Sequence, residues 1–399
     1  MPDTASELPT QPTGYWTEER IMMRDMARDF TTKEVLPVAN KLDPEKGDIP
    51  DELIEKMGEL GFFGITVPEE HGGLGLGSFE FCVVVEELCR GWMSVGSLIM
   101  RGNEMYQSIP AATEAERAEK IALMLEGKYL GAFAMSEPNV GSDVSSIACR
   151  AVRDGDEWVI TGNKYWCTYA DRASFLVVVV RTDPEKPKHA GLGVIAFDKE
   201  AGTFPKGIQG APIPKIGYFG FKTFELAFDE FRCPVLKRPD GRVASGFKDI
   251  ASGLEAARAA TAARSLGAAQ GALETAIQYA KDRVQFGRPI ADFQAIRFKL
   301  ATMATEIEAA RQLMYYVCNE IDAGRRCDKE ASMVKYFAAE MAERVTSEAL
   351  QILGGAGYTT LHPVERYWRD ARLTKIFEGS SEIQQRIISD ALLGKPTRP

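Results

Sequence analysis

Between Ile296 and Ile321 the apolar residues recur in steps of four and three: Ile296, Leu300, Met303, Ile307, Ala310, Met314, Val317 and Ile321. That rhythm puts all of them on one stripe of a long α-helix. A helix of this length with a single apolar seam cannot stand alone in water, because its stability comes from burying that seam against other helices. Similar stripes run through residues 249–282 and 328–353. Long antiparallel helices with such seams pack as a four-helix bundle, so residues 246–399 are expected to form a C-terminal helical bundle.

The chain before this bundle changes texture twice. Residues 1–16 are expected to be a flexible tail; the first thirteen are Pro/Thr-rich, without Lys or Arg, unlike a signal or transit peptide. Residues 17–130 read as an N-terminal helical domain: Ile21, Met22, Met26 and Phe30 mark a first helix, and Pro50-Asp51 opens a second. A largely apolar helical stretch from Ser78 to Tyr106 is expected to break near Gly91. The glycine-rich loop from Pro68 to Gly77 lacks the strand-to-helix setting of a phosphate cradle and reads as a chain reversal. Residues 131–245 carry short β-type runs at 157–161, 174–181, 193–197 and 223–229, with no helical stretch between them. In the last, Phe224, Leu226 and Phe228 alternate with Glu225, Ala227 and Asp229, as a half-buried strand requires. The middle is therefore an antiparallel sheet or β-barrel rather than a Rossmann unit, and the whole is an α+β multidomain chain, helical, β, helical. A ligand site is expected where the domains meet.

Composition removes several function classes. A net charge of −9 argues against nucleic acid as the partner. Seven scattered cysteines without a C-x-x-C pair suggest reduced thiols in a cytoplasmic setting. Three histidines without ligand spacing argue against a zinc enzyme, and no apolar run approaches membrane-spanning length.

The chemistry concentrates near the C-terminal end. In Lys375-Ile376-Phe377-Glu378-Gly379-Ser380-Ser381-Glu382-Ile383-Gln384, Ser381 and Gln384 read as a capping box that starts a helix. Glu378 precedes that helix, behind Ile376 and Phe377. Apolar neighbours are expected to desolvate its carboxylate and raise its pKa toward the range of a useful general base. A second polar loop, Phe133 to Asp143, sits where helices give way to strands and offers backbone N–H groups and two hydroxyls.

Taken together with Lys164-Tyr165-Trp166-Cys167-Thr168, Asp282 to Gly287, Phe293-Gln294, Gln351 to Tyr358 and Tyr367 to Ala371, these stretches resemble the acyl-CoA dehydrogenase family, in order and approximate spacing, over almost the whole chain. The resemblance implies three domains, one FAD per subunit and a homotetramer. It implies that Phe133, Met135, Ser136 and Ser142 belong to the segment holding the flavin and the start of the acyl-CoA. Trp166 and Thr168 would meet the flavin from the barrel side. Arg283, Phe286 and Gln294 would contact the FAD of a neighbouring subunit, Gln351 and Gly355 would meet the adenine and pyrophosphate end of FAD, and Ser380 and Glu382 would contact FAD after the base. Glu255 and Arg258 would hold the CoA arm, the plainer alternative being an i,i+3 salt bridge. Glu378 matches the catalytic base, with Gly379 beside the thioester. Some branches carry the base on an earlier helix, but Ala257 stands there in this sequence.

The implied reaction is α,β-dehydrogenation of an acyl-CoA thioester, with electron-transfer flavoprotein as acceptor. Residues 217–228 and 95–101 look like the branch that oxidises 2-substituted succinyl-CoA esters, such as methylsuccinyl-CoA or benzylsuccinyl-CoA. Arg101 follows an apolar helical run, and a buried cation there needs a partner: a distal substrate carboxylate, or Glu104 nearby. Departures are Cys167 after the tryptophan, Tyr169-Ala170, and a Gly217 to Thr223 stretch without the family's Arg and Ser. The competing readings are a simple, branched or glutaryl-CoA dehydrogenase, an acyl-CoA oxidase, and a catalytically silent assembly or nucleic-acid-binding relative.

Overall fold

A computed structural model describes residues 14–236, 245–246 and 253–396. Residues 1–13 of the expected tail and 249–252 of the expected stripe fall outside these; at the tail's end Trp16 is buried edge-on against Phe79 and Tyr315.

The N-terminal part is helical as expected. Helix α1 (Glu18–Phe30) starts at Thr17, whose hydroxyl accepts the Arg20 N–H at 3.3 Å. A π-turn at Thr31–Val35 passes it into α2 (Leu36–Leu42), and Pro50 opens α3 (Asp51–Glu59). Helix α4 (Ser78–Gly91) is buried over most of its length and stops at Trp92, whose extended backbone turns the chain into α5 (Met93–Leu98) and α6 (Met100–Asn103). Helix α7 (Glu114–Leu125) completes this layer. The Pro68–Gly77 loop is a chain reversal, with Gly75 N–H bonding back to Val67 O at 2.8 Å.

The middle is one twisted sheet: β1 (Gly131–Ala134), β2 (Arg150–Asp154), β3 (Glu157–Thr168), β4 (Phe175–Arg181), β5 (Leu192–Asp198), β6 (Ile208–Pro212), β7 (Thr223–Pro234) and β8 (Ser245–Gly246). The order is β6-β7-β3-β2-β4-β5-β8, with β1 beside β4. It is antiparallel except where β4 meets β1 and β2. Sequence periodicity found β3, β4, β5 and β7 but not β1, β2 or β6. Strand β1 is short and small-sided, β2 buries only Ala151, and β6 buries only Ile208, so none carries an alternating apolar signal.

The C-terminal part is built on α8 (Leu254–Asp282), α9 (Gln294–Asp322) and α10 (Asp328–Leu353), with α11 (Val364–Thr374) and α12 (Ser381–Leu393) packed on them. The α9 seam is buried from Met303 to Val317, as its spacing predicts. Helix α8 is the centre, buried on every side from Arg258 to Leu273 because most residues there are small. At Gly267 a Cβ would stand 2.3 Å from Glu86 O on α4, so only glycine lets these helices approach so closely. A buried network clamps the two helical parts together: Arg311 on α9 donates to Glu86 and to Gln270, each at 2.9 Å.

The expected capping box is corrected. Helix α12 begins at Ser381 with Ser380 as its cap residue, the Ser381 hydroxyl bonds Glu340 on α10 at 2.9 Å, and Gln384 reaches back to the Gly379 carbonyl at 3.0 Å.

Candidate active site

Glu378 stands on the short link between α11 and α12, with φ 54°, and Gly379 follows at φ 87°. The link is held from below: the buried Lys335 ammonium donates to Gly379 O at 2.6 Å, and Ser381 N–H to Lys375 O at 2.9 Å. Four more non-glycine residues with positive φ, Trp166, Tyr169, Tyr218 and Glu230, lie between the start of β3 and the end of β7, and Lys46 and Phe286 lie outside it. Strained backbone of this kind concentrates at functional sites.

The Glu378 carboxylate points at the first turns of α8. It accepts from Thr261 Oγ1 at 2.6 Å and forms an ion pair with Arg264 Nη2. Arg264 is 1% exposed, lies over the Phe377 ring at 4.5 Å and also donates to Thr261 Oγ1 at 2.9 Å. The expected rise in the Glu378 pKa is therefore corrected. Burial does push the carboxyl up, but the Arg264 guanidinium, the Thr261 hydroxyl and the Lys335 charge together hold it below the usual glutamate range. Local sequence showed the apolar neighbours and not the cation from α8.

Glu378 keeps 32% of its side chain exposed, so a cleft stays open beside this pair, and the groups near it are partly polar. Tyr218 is buried against Phe377 and Phe221, within the electrostatic reach of Arg264, Arg101 and Glu378. Glu104, open to the cleft, is pushed up to about 7 by desolvation and then by Glu378, against Arg264 and Arg101. Arg101 on α6 makes no ion pair with Glu104, and its buried Nε has no hydrogen-bond partner.

The barrel wall is anchored by a buried pair. Lys164 on β3, with no exposed surface, donates to Glu137 at 2.9 Å and to Met135 O at 2.8 Å. Glu137 also accepts the N–H groups of Ala148 and Cys149, and Tyr165 N–H bonds Ser136 O at 2.8 Å. These contacts tie the loop after β1, with Phe133 on the strand and Met135, Ser136 and Ser142 beyond it, to β3. A β-bulge between Lys164 and Cys167 then turns Trp166 outward, 56% exposed, while Thr168 bonds Thr223 at 3.1 Å.

The remaining candidates fall into two groups. Ser380 and Glu382 follow the base directly. Arg283, Phe286, Gln294, Gln351 and Gly355 gather at the opposite end of α8, where α9 starts and α10 ends, and Phe286 is 93% exposed there. Thr261 and Arg283 are separated by ~33 Å at 1.5 Å per helical residue, so one chain does not bring this group to Glu378. Glu255 and Arg258 do not pair with each other, so the i,i+3 alternative is corrected: Arg258 meets Asp328 at 3.4 Å, and Glu255 faces Arg326 at 3.9 Å. Thr261, Arg264 and Lys335 were not among the sequence candidates. A lone arginine amid the small residues 259–272 is the signal that marks Arg264 as a buried charge.

The N-terminal, middle and C-terminal domain profiles of the acyl-CoA dehydrogenase family match residues 17–128, 132–231 and 244–393. The chain belongs to the acyl-CoA dehydrogenase family. Like the family, it is an FAD-dependent oxidoreductase acting on CH–CH bonds of acyl-CoA thioesters. One relative, (2S)-methylsuccinyl-CoA dehydrogenase of Cereibacter sphaeroides, is 42% identical over 94% of this chain and 70% of its own length. Another, the caffeyl-CoA reductase-Etf complex subunit CarC of Acetobacterium woodii, is 36% identical over 96% of this chain and 100% of its own. A solved glutaryl-CoA dehydrogenase from Mycobacterium smegmatis in complex with FADH2 superposes with a TM-score of 0.87 at 25% identity, over 96% of this chain and 97% of that one. The residues present suit such an acyl-CoA dehydrogenase cofactor. The bulge leaves the Trp166 indole 56% exposed, an aromatic surface on which a planar ring can stack. No helix among the described residues is long and apolar enough to cross a membrane, and no metal-ligand cluster occurs among them.

Proposed function

We propose that this acyl-CoA dehydrogenase oxidises a thioester whose acyl group carries a second carboxylate, a 2-substituted succinyl-CoA of the methylsuccinyl or benzylsuccinyl type. The observation that carries this reading is Arg101: a guanidinium at the cleft with a buried, unpartnered Nε. A buried donor without an acceptor is costly, and a substrate carboxylate would satisfy it. The similarity to (2S)-methylsuccinyl-CoA dehydrogenase supports the same class.

In this reading Glu378 takes the proton from C2. Its backbone N–H, beside Gly379, donates to the thioester oxygen and stabilises the developing enolate, as an oxyanion hole does. Bound FAD supplies the acceptor for the β-hydrogen and its electron pair. Phe133, Met135, Ser136, Ser142, Trp166 and Thr168 position flavin and thioester from the barrel side, while Ser380 and Glu382 do so from the start of α12. Glu255 and Arg258 bind the CoA arm. Arg283, Phe286, Gln294, Gln351 and Gly355 serve the cofactor of another copy, which the ~33 Å gap supports, so a homotetramer is the assembly proposed. Domains are divided at 16/17, 130/131 and 245/246. Electron-transfer flavoprotein is the proposed acceptor, consistent with the Etf complex of the CarC relative, and the free buried thiols agree with a cytoplasmic protein.

A panel of CoA thioesters tests this by flavin bleaching. The expected result is fastest bleaching with a 2-substituted succinyl-CoA, and Arg101→Ala is expected to lower kcat/KM for that ester about 100-fold while costing butyryl-CoA far less. Preference of the wild-type protein for butyryl-CoA or glutaryl-CoA rejects the proposed substrate class.

A further inference from the structure

The Glu378 carboxylate occupies a built anion seat. Arg264 is buried, and Glu378 is its ion-pair partner; among the described residues it has no other. Its hydrogen-bond partners besides Glu378 are neutral: Thr261 Oγ1 at 2.9 Å and Ala260 O at 3.4 Å. Glu378, by contrast, keeps 32% of its side-chain surface toward the cleft, so it sits at the mouth of the seat and the guanidinium at its base. Thr261 and Arg264 both hold Oε2, so a proton taken up at Oε1 neutralises the anion that Arg264 is paired with. A buried guanidinium left without an anion is strongly unfavourable, and a carboxylate tied to a guanidinium is a weak base. Both difficulties vanish if the substrate brings its own carboxylate.

We infer that Arg264 is a specificity-determining residue: its guanidinium exchanges the Glu378 carboxylate for the distal carboxylate of the bound acyl-CoA, so that a dicarboxylyl substrate frees the base that then deprotonates it. Arg101 adds a second cation to the neighbourhood, its charge reaching Tyr218 as that of Arg264 does. The inference rests on the dicarboxylyl-CoA reading above and adds to it a reason for discrimination. A thioester with a plain alkyl chain enters the cleft but leaves Glu378 on Arg264, so it is penalised in the proton-abstraction step and not only in binding.

The experiment compares flavin bleaching by 2-methylsuccinyl-CoA and by butyryl-CoA, which lacks the second carboxylate, in wild-type holoenzyme, Arg264→Gln and Arg264→Lys. In Arg264→Gln the ratio of kcat/KM values is expected to shift about 100-fold toward butyryl-CoA. The acid limb of the butyryl-CoA profile is expected to move to higher pH, because the cation that holds Glu378 low is gone. Arg264→Lys is expected to keep the dicarboxylyl preference. Equal losses on both thioesters in Arg264→Gln, with an unmoved acid limb, overturn the exchange and leave Arg264 as a structural brace. Should Arg264→Gln not fold, the wild-type protein decides. Sodium formate, small enough to enter the seat beside butyryl-CoA, is expected to accelerate bleaching several-fold, and no acceleration at any concentration overturns the exchange. A wild-type protein that prefers butyryl-CoA overturns the substrate reading itself, whereas a dicarboxylyl preference with equal losses in Arg264→Gln overturns the exchange alone.

Discussion

Replacing Glu378 by Gln is expected to slow substrate-driven flavin bleaching by about 10³- to 10⁴-fold, the scale of a lost general base, with FAD content and thioester binding retained. The substitution keeps the side chain's size and its ability to accept from Thr261, and removes the charge that both takes the proton and pairs Arg264, so a denaturation midpoint is measured beside it. Stopped-flow reduction under anaerobic conditions measures the step directly. A variant that bleached at the wild-type rate would move the base elsewhere, and the earlier-helix position offers only Ala257. The low-lying pKa of the wild-type carboxyl also has a sign. Glu378 stays ionised in the free protein through neutral pH and below, so kcat/KM for a good substrate is expected to fall only as pH drops beneath the ordinary carboxylate range.

The largest stability loss is expected from Lys164→Met. Lys164 has no exposed surface, and its removal leaves the Glu137 carboxylate buried with only the Ala148 and Cys149 N–H groups as partners. Breaking a buried pair from one side costs about 3–5 kcal/mol. Chemical denaturation of the holoprotein measures that loss, and early FAD release is expected with it because the loop carrying Met135 and Ser136 hangs on the same ammonium. The double variant Lys164→Met with Glu137→Gln is expected to recover a large part, since no uncompensated charge then remains. A single variant as stable as wild type would show that the pair contributes nothing.

What the amino-acid order disclosed followed the range of its interactions. The α9 seam, the break near Gly91, the Pro68–Gly77 reversal and strands such as β7 are local patterns, and each appears where its period places it. The short strands β1, β2 and β6 exist only because neighbours pair with them. The place of Glu378 just before the last helix was legible in the sequence, but its electrostatic state was not, because Arg264 is 114 residues away in sequence and reaches it through the packing of α8 against the link before α12. Lys335 escaped notice for the same reason: nothing near it in the chain distinguishes it from a surface lysine. The turn-out of Trp166 depends on a register slip between β3 and β7 that neither strand encodes alone.

The bonds that fix the Gly379 carbonyl, from Lys335 on one side and Gln384 on the other, have a kinetic corollary. With the peptide anchored, the carboxyl group can travel only by rotation about its own χ angles, a picosecond-to-nanosecond motion for side chains that face solvent. In the proposed mechanism, resetting between catalytic cycles then needs no loop opening, and the main-chain donor beside the base stays in place. Turnover in such a design is limited by chemistry, ligand departure or electron hand-off, and not by rearming the proton acceptor.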